Sequence, residues 1–212
     1  MELTRDALLD LFRRSGALLD GHFRLTSGLH SPGYLQCALV LQHPEHAERL
    51  GRALAARAGT LGATAVLSPA LGGVVIGHEV GRALGVRAMF AERQDRVLML
   101  RRGFELSEHD RVLVVEDVLT TGGSTRETMQ VARAAGAHVV GAASIVDRSA
   151  GHPSTGSGQG PSTGSGQGRR TDFGVPFHAL LEIALPTYEP DTCPLCAQGL
   201  ALVKPGSRQV QT

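Results

Sequence analysis

Apolar positions recur along this chain with two periods, and the places where one gives way to the other mark its elements. Ala7, Leu8, Leu11 and Phe12 fall at helical spacing, with Thr4 placed to cap that helix and Gly16 to stop it. Ala47, Leu50, Leu54 and Ala58 line one face of a second helix over 44–58. Short apolar runs at 63–67, 86–91, 112–115 and 138–146 read as strands, the run at 112–115 as one buried on both faces. Helices over 74–84 and 124–135 follow the first and third runs. The later helix opens on Ser124-Thr125-Arg126-Glu127, which has the form of a capping box, and Gly136 stops it. Strands alternating with helices imply an α/β fold with a doubly wound, mainly parallel sheet flanked by helices.

Four stretches fall outside this rhythm. In 21–36, Ser27-Gly28 and Ser31-Pro32-Gly33 punctuate two short extended pieces, the pattern of a hairpin-like lid. The segment 92–102 is polar, with Arg93, Arg96, Arg101 and Arg102, and reads as a solvated loop from which Phe104 and Leu106 lead back to the sheet. Within 149–171 the octapeptide PSTGSGQG occurs at 153–160 and again at 161–168, with nothing able to build a core, so the stretch reads as a flexible surface insertion. Finally, 173–183 offers a last strand, or a strand and a turn.

A length of 212 residues and 42% hydrophobic content suit one soluble domain. The formal net charge of +1 supplies no basic field for nucleic acid, and no apolar run approaches the length of a membrane span. Early acids and the lack of a signal-peptide core at the N-terminus point to the cytoplasm. Three cysteines make no disulfide framework. Cys193 and Cys196 form a CxxC, but no second CxxC or paired histidine follows. Pooling of two pairs in a dimer, a redox pair, and a structural or incidental role all stay open, the last being preferred. The nine histidines show no metal-binding spacing, and His43 and His46 read as a solvated helical face. Lys204 is the only lysine, so a cationic task in a site falls to arginine or to a metal.

The chemistry concentrates in VLVVEDVLTTGGS at 112–124. Glu116 and Asp117 stand where a strand meets a loop. The loop Thr120-Thr121-Gly122-Gly123 then runs into a helix N-terminus, where converging backbone N–H groups suit a phosphate. The hydroxyls of Thr120, Thr121 and Ser124 add donors. The acids would repel a phosphate and instead suit sugar hydroxyls or a hydrated cation, so the run fits a ribose carrying a 5-phosphate. Ser68-Pro69-Ala70-Leu71-Gly72-Gly73 makes a second small-residue loop after a strand, where Gly72 and Gly73 allow close approach of backbone amides.

Taken whole, 112–124 resembles the phosphoribosyl diphosphate (PRPP) signature of the type I phosphoribosyltransferases. The stretch at 21–36 resembles the hood of the orotate phosphoribosyltransferases through Phe23, Ser27, Tyr34 and Leu35. The likeness covers nearly the whole chain except the repeat, and the CPLC and KPGSR tail resembles that of some bacterial members. It implies one domain with a hood at about 17–40, a catalytic loop at about 92–103 and an insertion at about 149–171. It also implies transfer of ribose 5-phosphate from PRPP to orotate, giving orotidine 5-phosphate and pyrophosphate in pyrimidine (UMP) biosynthesis.

The family pattern assigns PRPP to Glu116, Asp117, Val118, Leu119, Thr120, Thr121, Gly122, Gly123 and Ser124, together with Leu71 and Gly72 of the pyrophosphate loop. It assigns orotate to Thr120, Arg148, Tyr34 and Leu35, and catalysis to Asp117, Glu116 and a loop arginine, by position Arg93 ahead of Arg101 and Arg102. It further implies Mg²⁺ carried by PRPP rather than by a protein cage, and a homodimer sharing the loop between subunits. Three departures stand out: Thr26 replaces a common lysine, the pyrophosphate loop lacks a lysine, and the catalytic loop has arginines in place of the lysine and histidine pattern. Alternatives are a phosphoribosyltransferase for another base and a non-catalytic PRPP-binding regulator.

Overall fold

A computed structural model describes residues 3–25, 27–149 and 172–205. Thr26, the octapeptide repeat and the end of the tail lie outside the described residues. Six strands form the main sheet: β3 (Ala65–Pro69), β4 (Arg87–Gln94), β5 (Val97–Leu100), β6 (Arg111–Leu119), β7 (His138–Asp147) and β8 (Phe177–Glu182). Their order is β5-β4-β3-β6-β7-β8, and every pairing is parallel except the β4–β5 hairpin. A separate antiparallel hairpin pairs β1 (Leu18–Arg24) with β2 (His30–Leu35) in the stretch expected to be the hood.

The apolar strand runs are buried on both faces because helices cover both sides. Val66, Leu113, Val115 and Ile145 pack with Leu50 and Leu54 of α3 (Pro44–Ala58) and with Ile76 and Val80 of α4 (Gly72–Leu84). Leu8 and Phe12 of α1 (Arg5–Arg14) join that core, and the short α2 (Ala38–Leu41) adds Val40 and Leu41. Ala65, Leu67, Val112 and Val114 face the other way, onto Met129 and Ala132 of α5 (Gly123–Ala134). Alternate residues of one strand thus feed two cores, the arrangement that lets a parallel sheet be apolar throughout. Thr4 caps α1 by accepting from the Ala7 N–H at 3.3 Å, as its position before the periodic run implies.

The structure corrects three local expectations. First, β6 does not stop at Val115. Its pairing with β3 ends at Val114, but the ladder to β7 continues through Glu116 opposite Ser144 to Leu119 opposite Asp147. Glu116 and Asp117 therefore sit on a strand projecting past one neighbour while still held by the other.

Second, the capping box at Ser124 does not form. α5 starts at Gly123 behind a left-handed Gly122 (φ 77°), with no side-chain cap, and the Thr125 hydroxyl donates to Glu116 instead. The helix begins one residue ahead of Ser124, so Ser124 lies inside its first turn and not at the cap, and both the Ser124 and Thr125 side chains hydrogen-bond Glu116.

Third, 92–102 is not a loop but the β4–β5 hairpin, turning at Asp95 (φ 51°) and Arg96 (φ 71°). Two consecutive left-handed residues match the twist of paired strands. Leu98 anchors the hairpin, being 8% exposed and part of the core beneath α5.

Candidate active site

Two loops meet at the projecting end of β6. Gly72, the first residue of α4, lies so near Asp117 that a Cβ there would come within 2.6 Å of Asp117 Oδ1. Only glycine allows this approach, so the second small-residue loop and the acidic pair form one site. The preceding Ala70–Leu71 peptide is cis, Leu71 is 87% exposed, and α4 begins without a side-chain cap. First-turn amides of a helix have no intrahelical acceptor, so the starts of α4 and α5 both present N–H groups at this edge.

Glu116 and Asp117 are half-buried. Burial pushes Glu116 up to about 7, with the Asp117 charge adding to the rise and hydrogen bonds from Thr125 and Ser124 opposing it. Burial also raises Asp117, against the stabilising N–H groups of Val118 and of Asp117 itself. The loop that follows is braced from within. Gly123 N–H donates to Thr121 Oγ1 at 3.4 Å, and Arg126 Nη1 donates to the Thr121 carbonyl at 3.0 Å while lying over the Phe173 ring.

Arg148 leaves the end of β7 beside this loop, its N–H donating to the Leu119 carbonyl at 2.8 Å. The side chain is only 8% exposed, and among the described residues its Nε and Nη2 find no acceptor. Burial lowers its pKa from the usual guanidinium value. Neighbouring Asp147 is occupied otherwise, Oδ1 accepting from Ser149 N–H at 2.8 Å. A buried cation with two unmet donors is costly in a folded protein unless a ligand supplies the acceptors.

The hood approaches from the side. Leu35 is 9% exposed and belongs to the core against which Val118 packs, and Tyr34 leans on Phe23 at 5.8 Å between ring centroids. Just beyond it, Cys37 Sγ lies 4.0 Å from the Asp117 carbonyl, and burial pushes this thiol well up.

Arg93 is elsewhere engaged, on the β4–β5 hairpin. It donates to the Arg96 carbonyl at 2.8 Å and pairs with Glu127 of α5 at 2.5 Å. Arg102 grips Glu92 through two donors at 2.6 and 2.9 Å.

The structure thus gathers Glu116, Asp117, Thr120 to Ser124, Gly72 and Arg148 at one sheet edge, while Arg93 is tied to the flank of α5. Sequence reasoning missed Thr125, whose place in an apparent capping box hid its role as the donor to Glu116. A surface cavity of about 890 Å³, lined by Leu3, Arg49, Arg52 and Arg57 among others, contains none of these residues.

The family profile of the phosphoribosyl transferase domain matches residues 39–154. The chain is 50% identical over 208 residues to the orotate phosphoribosyltransferase of Pelotomaculum thermopropionicum, covering 98% of this chain and 100% of that one. It is 49% identical to that of Heliobacterium modesticaldum, covering 97% and 100%. Among solved structures, the orotate phosphoribosyltransferase of Aeropyrum pernix aligns at a TM-score of 0.58 and 26% identity, over 67% of this chain and 82% of that one. The Mycobacterium tuberculosis enzyme in complex with 5-phospho-alpha-D-ribosyl 1-diphosphate aligns at 0.57 and 21% identity, over 84% and 89%, a likeness of fold. With a mostly parallel sheet carrying the acidic pair and its glycine loop at one edge, and with half of its residues shared along the full length of such a relative, the chain belongs to the orotate phosphoribosyltransferase family.

Proposed function

We infer that the protein transfers ribose 5-phosphate from PRPP to orotate, releasing pyrophosphate, and that Arg148 selects the base. The observation carrying this reading is the buried guanidinium whose Nε and Nη2 find no acceptor among the described residues, beside the loop after β6. A carboxylate on a flat ring is the complement of two such donors, and uracil, without the carboxylate, would leave them unpaired.

The reaction forms a bond from the orotate ring nitrogen to the anomeric carbon, breaks the bond from that carbon to the diphosphate oxygen, and releases the proton of that ring N–H to solvent or to the departing pyrophosphate. No protein nucleophile is required. The amides and hydroxyls of Thr120 to Ser124 hold the 5-phosphate, and the backbone around Leu71 and Gly72 holds the diphosphate. Ionised Asp117 and Glu116 accept from the ribose hydroxyls and favour the positive charge that develops at the anomeric carbon. Tyr34 and Leu35 of the hood flank the base with Thr120.

The acidic pair also suits Mg²⁺. Two adjacent half-buried carboxylates beside the Gly72 backbone are hard oxygen donors that accept from metal-bound water, so a Mg²⁺–PRPP complex fits against Glu116 and Asp117. Bound there, the ion supplies charge neutralisation on the diphosphate. Arg93 serves the departing pyrophosphate by exchanging Glu127 for it. In a homodimer the β4–β5 hairpin is the element that would reach the neighbouring subunit. A metabolic enzyme of this kind works in the cytoplasm, and no helix among the described residues is long and apolar enough to cross a membrane.

The test is pyrophosphate release from PRPP and Mg²⁺ with orotate, uracil, adenine, hypoxanthine or xanthine. Release with orotate alone is expected. Equal release with uracil would remove Arg148 as selector, and release with a purine only would move the substrate class.

A further inference from the structure

Away from the phosphate loops, four metal-ligating side chains converge where the hood meets the C-terminal segment. His22 lies on β1, His30 begins β2, and Cys193 and Cys196 belong to the CxxC around α6 (Pro194–Ala197). The partners absent from the sequence downstream of the CxxC are thus found upstream, His22 being 171 residues before Cys193.

One donor atom from each residue lies within 4.8 Å of the other three. His22 Nε2 is 3.0 Å from His30 Nδ1, 3.6 Å from Cys193 Sγ and 3.7 Å from Cys196 Sγ, and Cys196 Sγ is 3.3 Å from His30 Nδ1. A tetrahedral Zn²⁺ with ordinary bond lengths has edges of about 3.3 Å between nitrogens and about 3.6 Å between nitrogen and sulfur. Each of the four separations falls within about 0.3 Å of those values.

Protonation supports the same reading. His22 Nδ1 is 2.8 Å from the Leu200 carbonyl, an acceptor only, so Nδ1 carries the proton and donates. Its Nε2 then has a bare lone pair aimed into the cluster, the arrangement usual for a metal-bound histidine. One lone pair satisfies one hydrogen bond, yet three donor atoms surround it, which is the geometry of ligands about a common ion. His22, His30 and Cys193 are 3%, 5% and 3% exposed, so water does not serve them freely.

Backbone pairing brackets the cluster. Val203 N–H donates to the His22 carbonyl and Arg24 N–H to the Val203 carbonyl, both at 2.8 Å, while His30 and Tyr188 exchange two bonds at 2.9 Å. A two-stranded hairpin is marginal alone, and this one carries Tyr34 at the edge of the active site.

We propose that His22, His30, Cys193 and Cys196 bind one Zn²⁺ per chain as a structural staple joining the hood to the C-terminal segment. The protein fills all four positions, so the ion has no place for substrate or water and takes no part in phosphoribosyl transfer. Both cysteines ligate as thiolates, releasing their protons on binding. The mixed nitrogen and sulfur set suits zinc rather than Mg²⁺, which takes oxygen ligands.

Full-length, tag-free protein grown with Zn²⁺ and desalted is expected to retain about one zinc per chain by mass spectrometric elemental analysis, falling below about a tenth in a Cys193→Ser, Cys196→Ser double variant. Because that variant would misfold if the staple is essential, the wild-type chain is also stripped and reloaded with Co²⁺. A thiolate-to-cobalt charge-transfer band with intense tetrahedral visible bands is expected, together with a higher melting temperature in Zn²⁺ than in chelator. Zinc-free wild type with Cys193 and Cys196 joined in a disulfide, cobalt protein without the charge-transfer band, or zinc retained by the double variant would overturn the proposal.

Discussion

The end of β7 and the β4–β5 region both carry arginine, under opposite conditions. Arg148 is 8% exposed with two donors unmet among the described residues, whereas Arg93 on the hairpin and Arg102 just after it are exposed and already paired with Glu127 and Glu92. A buried cation with unmet donors is destabilising until a ligand arrives, which supports the role proposed for Arg148. An exposed ion pair contributes little to stability and can exchange its carboxylate for another anion at small cost. On the proposed roles, recognition of the base belongs to the rigid sheet edge and handling of the leaving group to the adaptable hairpin.

The sharpest break between the two regions comes from substitution. Arg148→Ala should lower kcat/KM for orotate by about 10³, since two charge-assisted hydrogen bonds of roughly 1.5–3 kcal/mol each are lost. Arg148→Met should at the same time raise the stability of the substrate-free protein by about 1–2 kcal/mol in denaturant titration. A Met variant that is both inactive and less stable would mean that Arg148 supports the fold and does not await a ligand.

Next in size, Asp117→Asn should cost about 10² in kcat with the melting temperature nearly unchanged, because a fixed negative charge opposite developing positive charge is removed. Near-normal turnover would take Asp117 out of the chemistry.

Glu116 extends the comparison to pH. Its carboxyl is held at about 7 in the fold against an ordinary 4.5, so between those values the native state binds the proton that the unfolded chain releases. Stability should fall as pH rises from about 4.5 to 7 and level off above, while activity climbs as Glu116 ionises. Glu116→Gln should flatten both limbs. A pH–activity profile near 7 unchanged in this variant would assign the limb to another group.

The smallest effect is expected from the hairpin. Arg93→Ala should change stability by no more than about 0.5 kcal/mol, as exposed pairs do. It should lower kcat less than about tenfold if the hairpin's other arginines share the pyrophosphate. A loss as deep as that of Arg148→Ala would make Arg93 an anchor and erase the contrast.

Much of this was legible in the residue pattern, because it depends on contacts near in sequence. The spacing of Ala47, Leu50, Leu54 and Ala58 delimits α3 as Pro44–Ala58, and Thr4 caps α1 as its position implies. The glycine loop and Arg148 were legible as following buried strands, and the acidic pair as lying near such an end though it belongs to β6 itself. The errors share a cause. β6 runs past Val115 because β7 keeps pairing with it, the first turn of α5 is set by hydrogen bonds to Glu116 rather than by a cap at Ser124, and the 92–102 stretch folds back because Leu98 finds a core under α5. In each case a partner distant in sequence outweighs a local propensity.

Sequence alone determined the alternation of elements, the phosphate loop and the identity of the charged side chains, since periodicity and glycine placement act over a few residues. Tertiary structure alone decided which charges lose their water and which ligands meet. Among the described residues two Arg148 donors lack acceptors, burial holds the Glu116 carboxyl high, and His22 and His30 stand beside Cys193 and Cys196, because chain closure sets burial and distance between residues that no local pattern connects.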